Sequence, residues 1–496
     1  MAFTREVKGG GVAAALTLAA GFLTLNRALV GVFYDDGIYA GLATALAGGH
    51  GYAYANLPGL PGAVHYPPLY PLVLTPLFGL LSVSAAALVG KLLNILLAAA
   101  SAGLITWHVL SAGLFGDGSP RWVPPTLVTA AAVSIPVLAM QSVLFAEPLF
   151  AVLLAAAIIY ADRAKSPWLT GSLIALAVLT RSIGIAAAAG VVCFLLVRRV
   201  PPRTLVALLA PVLVASLAWS LWVTTKQKAI DPALALTYGS YGAVLQQTGL
   251  SALGVSAPDL LRPFEVIALG WIPVAWIYNL LATAMFGVGL YGLALLSRRS
   301  AIGFTLIFYL AILAIWPYPP DRFLWAVLPW LGVAWALGAL TIWQRWRRAR
   351  IPVAVLAVLL AAGYARYEIQ GIAGRWWGTQ ASAISANFAE LLPVVASLPP
   401  SAIVATDDEA LVWLYTRRQA VPLYLERYQG RRVIRPTPEE HRAYLDRMGV
   451  THILLASATS PSAIELRSLM TANPNWLTAL YRWPDGRWLF AVQHGS

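Results

Sequence analysis

Residues 204–225, TLVALLAPVLVASLAWSLWVTT, run for twenty-two positions without a charged side chain. As an α-helix rising about 1.5 Å per residue, such a run crosses a hydrocarbon core about 30 Å thick. Its Leu, Ala and Val are continuous rather than alternating with polar residues, which fits a helix and not the roughly ten-residue strand of a membrane barrel. Working outward, similar stretches of roughly 15–25 residues precede it at Gly10–Phe33, Ala85–Leu110, Pro125–Met140, Glu147–Ala161, Leu169–Thr180 and Gly184–Val197. Others follow at Val266–Leu296, Ile302–Trp316, Phe323–Trp343 and Pro352–Tyr367. The whole chain agrees with its parts: 59% of the 496 residues are hydrophobic and only 11% charged, with a mean hydropathy of +0.71. A soluble globule of this length is excluded. The reading is an all-α polytopic membrane bundle of about eleven transmembrane helices.

The first stretch carries Arg5 and Lys8 ahead of it, like a signal peptide, but no small-residue cleavage pattern follows, so it reads as an anchor. Arg27 near its far end is long enough to snorkel to the interface. Further basic residues fall in alternate loops on one side: Arg121; Arg163 and Lys165; Arg198, Arg199 and Arg203; Arg298 and Arg299; Arg345, Arg347, Arg348 and Arg350. Short cytoplasmic loops hold the Lys and Arg excess, so these loops and the amino terminus are expected in the cytoplasm of a multi-pass plasma (inner) membrane protein. The net charge of +13 is then mostly topology. A nucleic-acid partner is not implied, since its basic residues would form one stripe instead of a scatter over loops. The sole cysteine, Cys193, sits inside an apolar stretch, so no internal disulfide forms.

Three polar regions remain, all expected on the extracytoplasmic side. Residues 34–68 and 226–265 are long loops within a membrane part spanning 1–367, and 368–496 is a tail without apolar runs. In the tail, Ala402–Thr406, Val421–Leu425, His452–Leu455 and Trp488–Val492 read as strands, and Glu409–Tyr415 as a helix. Thr437 with Glu440 forms a capping-box pattern opening a helix over Pro438–Met448. Strands alternating with helices predict a small α/β domain that folds separately from the membrane part.

Ionisable groups near a bilayer are costly and mark function. On the outward ends lie Asp35, Asp36 and His65 in the first loop, Glu147, Arg181, and Asp321 with Arg322. Carboxylates beside arginines suit a reaction on an anionic, lipid-borne substrate, one carboxylate acting as base while an arginine grips a phosphate. Each also has a plainer reading. Asp35-Asp36 is a possible helix start before Gly37–Ala47, Glu147 favours a helix amino terminus, Asp321-Arg322 an interfacial ion pair, and His65 a surface histidine. His108, His441, His452 and His494 show no metal spacing and read as structural.

These residues carry a resemblance. Tyr34-Asp35-Asp36-Gly37-Ile38-Tyr39 resembles the acidic first-loop motif of the GT-C glycosyltransferases, in the subgroup of the dolichyl-phosphate-mannose protein mannosyltransferases and lipid A aminoarabinose transferases. His65-Tyr66-Pro67-Pro68-Leu69-Tyr70-Pro71 is similar to the family's Pro-Pro-Leu segment. The likeness continues through Phe145-Ala146-Glu147-Pro148-Leu149-Phe150, Leu179-Thr180-Arg181-Ser182-Ile183-Gly184 and Asp321-Arg322-Phe323-Leu324. The resemblance implies inverting transfer of a monosaccharide from a polyprenyl-phosphate sugar to a lipid, glycan or protein acceptor on the outer face, amid membrane lipids. It places Asp35 as the base and Asp36 as a neighbouring acid that orients it or the acceptor, with Arg181 and Arg322 near the donor phosphate. Tyr66 stands where the aminoarabinose transferases have a phosphate-meeting Lys, so it joins the donor-phosphate set and lipid A modification is not implied. His65, Glu147 and Asp321 are candidates for acceptor binding. A divalent metal is compatible with Asp36, Glu147 or His65, though no cofactor is required.

The chemistry stands without the family. A sugar on a phosphate carrier is already activated, and no Gly-rich nucleotide loop is present. A transporter or flippase of lipid-linked sugars, the rival reading, predicts polar groups at the bilayer midplane and internal repeats; these groups sit at span ends, and the halves show no repeat. A scaffold working through its tail would rest on Asp407-Asp408-Glu409, which reads as a helix start. For an enzyme, Asp35 or Asp36 is expected in one cavity with Arg181 and at least one of His65, Glu147 or Arg322.

Overall fold

A computed structural model describes residues 4–116, 119–248, 254, 256–316, 318–429 and 432–493. His494 and part of the loop 226–265 lie outside them. The chain forms two compact units, each drawn from several segments. The first comprises Met1–Asn26, Lys91–Trp219 and Ala252–Thr379; the second comprises Arg27–Gly90, Ser220–Ser251 and Gln380–Ser496. This division differs from the one at 367/368, because the first loop and much of the second group with the tail.

The apolar runs are helical, but many are interrupted. Among the described residues, five helices are long and apolar enough to cross a membrane: Arg5–Thr24, Val83–Ser111, Pro202–Ala229, Ala275–Leu296 and Arg347–Ala396, the last including a turn. A bent pair makes a possible sixth, and Leu69–Leu80, Pro167–Thr180, Ser182–Val197 and Ala301–Ala314 are shorter apolar helices. Several of the expected eleven stretches are therefore interrupted or short helices rather than single unbroken spans. The stretch Pro125–Met140 is two helices, Val123–Ala132 and Ile135–Gln141, bent by 56°. Pro136 has no amide hydrogen to continue the ladder and biases the chain before it to extended geometry. The break is braced from the helix Arg350–Gly374, where both Glu368 carboxylate oxygens accept from Ile135 N at 3.2 Å and the Tyr364 hydroxyl donates to Ala130 O at 2.7 Å. The stretch Val266–Leu296 likewise breaks between a π-turn at Glu265–Leu269 and the helix Ala275–Leu296, across Gly270 and Pro273.

Two glycines set a close crossing in the first unit. A Cβ on Gly292 would sit 1.7 Å from Ala334 O, and one on Gly338 would sit 2.3 Å from Val288 O, so the helices Ala275–Leu296 and Leu328–Arg345 touch backbone to backbone. Gly292→Ala is expected to cost about 1–3 kcal/mol by forcing them apart. Gly287→Ala, where a Cβ meets nothing within 4 Å, is the control. Thermal unfolding of the detergent-solubilised protein should show a fall for the first substitution and none for the second. His108 is structural: its Nε2 meets Asp162 Oδ2 at 2.8 Å, while Asp162 Oδ1 accepts from Ala301 N at 2.7 Å. One carboxylate therefore pins three helices.

The second unit holds the sheet. Its strands are β1 (Ile403–Thr406), β2 (Gln419–Pro422), β3 (Arg427–Gln429), β4 (Arg432–Ile434), β5 (His452–Leu455), β6 (Leu477–Arg482) and β7 (Trp488–Val492). The five-stranded sheet runs β2-β1-β5-β7-β6, and β3-β4 form a separate hairpin. β1 pairs in parallel with β2 and β5, and the β5-β7 and β7-β6 pairs are antiparallel. The capping box of Thr437 and Glu440 opens the helix Pro438–Arg447, as its sequence predicts. The strand expected at Val421–Leu425 lies earlier, at Gln419–Pro422. The helix Glu409–Thr416 lies against the start of the first loop: a Cβ on Gly31 would be 2.6 Å from Leu411 Cβ, and one on Gly37 would be 3.0 Å from Ala410 Cβ. The Tyr415 hydroxyl accepts from Val30 N at 3.0 Å and Ser385 Oγ from Leu29 N at 2.8 Å.

Candidate active site

The acidic doublet sits on a strained turn. Tyr34 has φ 61° and ψ −74°, and Asp35 N donates to Phe33 O at 2.7 Å, so Tyr34 is the centre of a γ-turn of the rarer hand. A bulky residue holds that geometry only where its surroundings enforce it. Asp36 supplies much of the enforcement. It is fully buried; its Oδ2 accepts from Gly31 N and its Oδ1 from Phe33 N, each at 2.9 Å. The turn ends in the helix Asp35–Ala47, whose first residue is Asp35.

Asp35 is 9% exposed, and its Oδ1 accepts from the Tyr66 hydroxyl at 2.8 Å. Burial, and next the Asp35 charge, push the Tyr66 phenol well above its ordinary value. Tyr66 therefore remains a donor. His65 gives Nδ1 to Gly239 O at 2.7 Å; a carbonyl only accepts, so Nδ1 carries the proton. The imidazole also lies 4.8 Å from the Tyr66 ring and 4.6 Å from that of Tyr241. Behind them a phenol cluster fills the second unit. The Tyr54 hydroxyl accepts from Val64 N at 3.3 Å and from His65 N at 3.1 Å, and donates to Tyr238 O at 3.1 Å. The Tyr238 hydroxyl accepts from Asn56 Nδ2 at 2.8 Å and donates to Glu409 Oε1 at 2.6 Å. Neither the cluster nor Glu409 is evident from sequence, because the partners lie in three distant segments.

The first unit assembles the other candidates. Arg181 and Glu147 form an ion pair, both nearly buried. Arg181 is presented by a break: it is extended, at φ −147° and ψ 124°, between the helix Pro167–Thr180 and the turn Ser182–Gly184. Its guanidinium lies 4.9 Å from the Phe323 ring centre, and that of Arg322 lies 4.6 Å from Phe145, so Arg181 and the segments 145–147 and 322–323 interlock through two cation–π contacts and the ion pair. Asn94 Nδ2 donates to Val143 O at 2.9 Å and Phe145 O at 3.0 Å, and the Tyr309 hydroxyl to Phe323 O at 2.8 Å, fixing both segments. Asp321 faces Arg262 Nε at 3.8 Å, a partner the sequence reading did not single out. An apolar cavity of about 530 Å³ is lined by Leu260, Pro263, Phe286, Leu324, Trp335 and Leu360 among others. Leu260 and Pro263 flank Arg262, and Leu324 follows Arg322 by two positions.

The eight candidates thus fall into two sets: Asp35, Asp36, His65 and Tyr66 in the second unit, and Glu147, Arg181, Asp321 and Arg322 in the first. Tyr66, expected at the donor phosphate, donates its hydroxyl to Asp35. Of the groups considered for a cation, both Asp36 oxygens accept main-chain N–H groups, one Glu147 oxygen pairs with Arg181, and His65 Nδ1 donates to Gly239 O. Among the described residues, no three His, Cys, Asp or Glu side chains converge as a metal site.

No family model and no curated protein matches the sequence. Solved structures do. ArnT from Cupriavidus metallidurans bound to undecaprenyl phosphate aligns over 97% of each chain at 16% identity, with a TM-score of 0.55. Its apo state aligns over 97% of each chain at 16% identity, with a TM-score of 0.52. The Archaeoglobus fulgidus oligosaccharyltransferase in the apo form aligns over 99% of this chain and 74% of that one at 13% identity, with a TM-score of 0.50. The likeness runs through both the helical part and the tail, so the chain shares the fold of these ArnT and oligosaccharyltransferase structures.

Proposed function

We propose that this chain is an inverting glycosyltransferase that moves a monosaccharide from a polyprenyl-phosphate carrier to a hydroxyl acceptor at the outer face of the plasma membrane. The observation that carries the reading is Asp35: a nearly buried carboxylate on a strained turn, braced by Asp36 and aimed by Tyr66. Such preorganisation is what a general base requires. Asp35 takes the proton of the acceptor hydroxyl as that oxygen bonds to the anomeric carbon. The bond from that carbon to the carrier phosphate breaks, and its electrons pass to the phosphate oxygen. Arg322, stacked on Phe145, and Arg181, held by Glu147, are the groups offered to that developing charge. The apolar cavity suits a prenyl chain, with Arg262 and Arg322 close in sequence to its lining residues. The Lys and Arg asymmetry of the loops supports the outer face.

Purified protein incubated with a panel of polyprenyl-phosphate sugars and candidate acceptors is expected to release free polyprenyl phosphate with at least one donor. Movement of intact lipid-linked sugar across a vesicle without release would establish the transporter reading in its place.

A further inference from the structure

Glu409 stands apart from every group the proposed reaction uses. It comes from the tail, is fully buried, and points its carboxyl at Tyr238 of the second loop. Oε1 accepts from the Tyr238 hydroxyl at 2.6 Å, and the Tyr34 phenol also faces the buried carboxyl. Tyr238 is the junction of the phenol cluster. Its ring meets Tyr54 edge-on at 4.7 Å and Tyr34, the centre of the γ-turn, at 6.2 Å. Its carbonyl receives the Tyr54 hydroxyl, and that hydroxyl in turn takes the N–H groups of Val64 and His65, next to Tyr66. Both supports of Asp35, the turn before it and the Tyr66 hydroxyl upon it, thus lead back to Tyr238, and Tyr238 is fixed by Glu409.

We infer that Glu409 is a positioning residue, which through Tyr238 holds Asp35 in its reactive orientation and so makes the tail part of the catalytic apparatus. This rests on the glycosyl-transfer reading. The carboxyl acts in its neutral form. Burying an ionised carboxylate with no cation beside it is costly, and burial pushes Glu409 up to about 8. The groups facing it are Tyr34 and Tyr238 from the loops, Tyr444 from the helix Pro438–Arg447 and Asp408, the N-cap residue of its own helix. The first three stay protonated across neutral pH, because burial raises each phenol well above its ordinary value. Asp408, which burial pushes up to about 7, raises Glu409 further when ionised. The sign follows. Because the folded value exceeds the ordinary 4.5, the neutral carboxyl's contribution is complete below about 4.5 and is lost as pH rises through about 8, where ionisation opens the cluster.

The test compares wild type, Glu409→Ala and Glu409→Gln in the polyprenyl phosphate release assay from pH 6 to 9.5, with thermal unfolding measured alongside. Displacing a catalytic group by about 1 Å costs up to 10²-fold, so Glu409→Ala is expected to lower kcat by about 10–100-fold with donor KM within about threefold. Glu409→Gln, whose amide oxygen still accepts from Tyr238, restores most of that loss. It also lacks the fall in kcat above about pH 8 that wild type shows. An alanine variant as fast as wild type overturns the inference. If that variant does not fold, a glutamine variant with the wild-type alkaline limb overturns it. Wild type that releases no carrier from any donor defeats the glycosyl-transfer reading itself, and this inference with it.

Discussion

Asp35→Asn is expected to slow sugar transfer by 10²–10⁴-fold, the usual worth of a general base, or roughly 3–5 kcal/mol of barrier. The amide fills the carboxylate's volume and still accepts from the Tyr66 hydroxyl through its oxygen, so the γ-turn and its bracing by Asp36 persist. Only proton acceptance is lost. Donor affinity should change little, because the proposed phosphate groups lie elsewhere in the sequence. The measurement is single-turnover release of polyprenyl phosphate beside equilibrium donor binding. Near-normal turnover would remove Asp35 as the base and make Asp36 the next residue to replace. The expected pattern for Asp36 differs, since both its oxygens hold the turn: Asp36→Asn puts an amide group where two main-chain donors already point, and stability should fall together with rate.

Arg181→Ala is expected to be the most destabilising single change in the first unit. It leaves Glu147, 2% exposed, without the guanidinium that compensates its charge. Breaking a buried pair by removing one partner typically costs about 3–5 kcal/mol, whereas replacing both partners with apolar residues is often close to neutral. Arg181→Leu combined with Glu147→Leu should therefore recover most of the thermal unfolding midpoint lost in Arg181→Ala without recovering sugar transfer. If the double variant regains turnover, neither residue serves the donor phosphate. If Arg181→Ala unfolds at the wild-type temperature, the pair is not the internal tie that its burial and the Phe323 contact indicate.

Much of this was legible in the sequence, and the parts that were not share a cause. Asp35 and Asp36 stand out because an acidic doublet closes an apolar run, and Arg181 because it interrupts two. Bilayer cost makes such residues visible one at a time. The bend at Ser134 was hidden, since an apolar window over 125–140 weighs side chains and not the missing amide of Pro136. Strand β6 was hidden because five of its six residues are exposed, leaving no alternation to read. Glu409 was read as an ordinary helix start, and locally it is one, in the first turn of the helix Glu409–Thr416. Its significance lies in Tyr238, 171 positions away, and no spacing rule reaches so far. The pairing of Asp321 was missed for a similar reason, as Arg262 belongs to a loop with no periodicity.

The hydrogen bonds that seat the first loop on the tail also set a timetable for biogenesis. Leu29 and Val30 leave the ribosome early, but the Ser385 and Tyr415 side chains that accept their N–H groups are encoded 356 and 385 positions later. At roughly 5–20 residues per second, that interval is on the order of 20–80 s. Throughout it, the segment bearing Asp35 lacks these partners, and the turn at Tyr34 lacks the helix that Gly31 and Gly37 are shaped to receive. A nascent chain therefore gains its catalytic loop only near the end of synthesis, and a product truncated before the tail, however well inserted, would be born inactive.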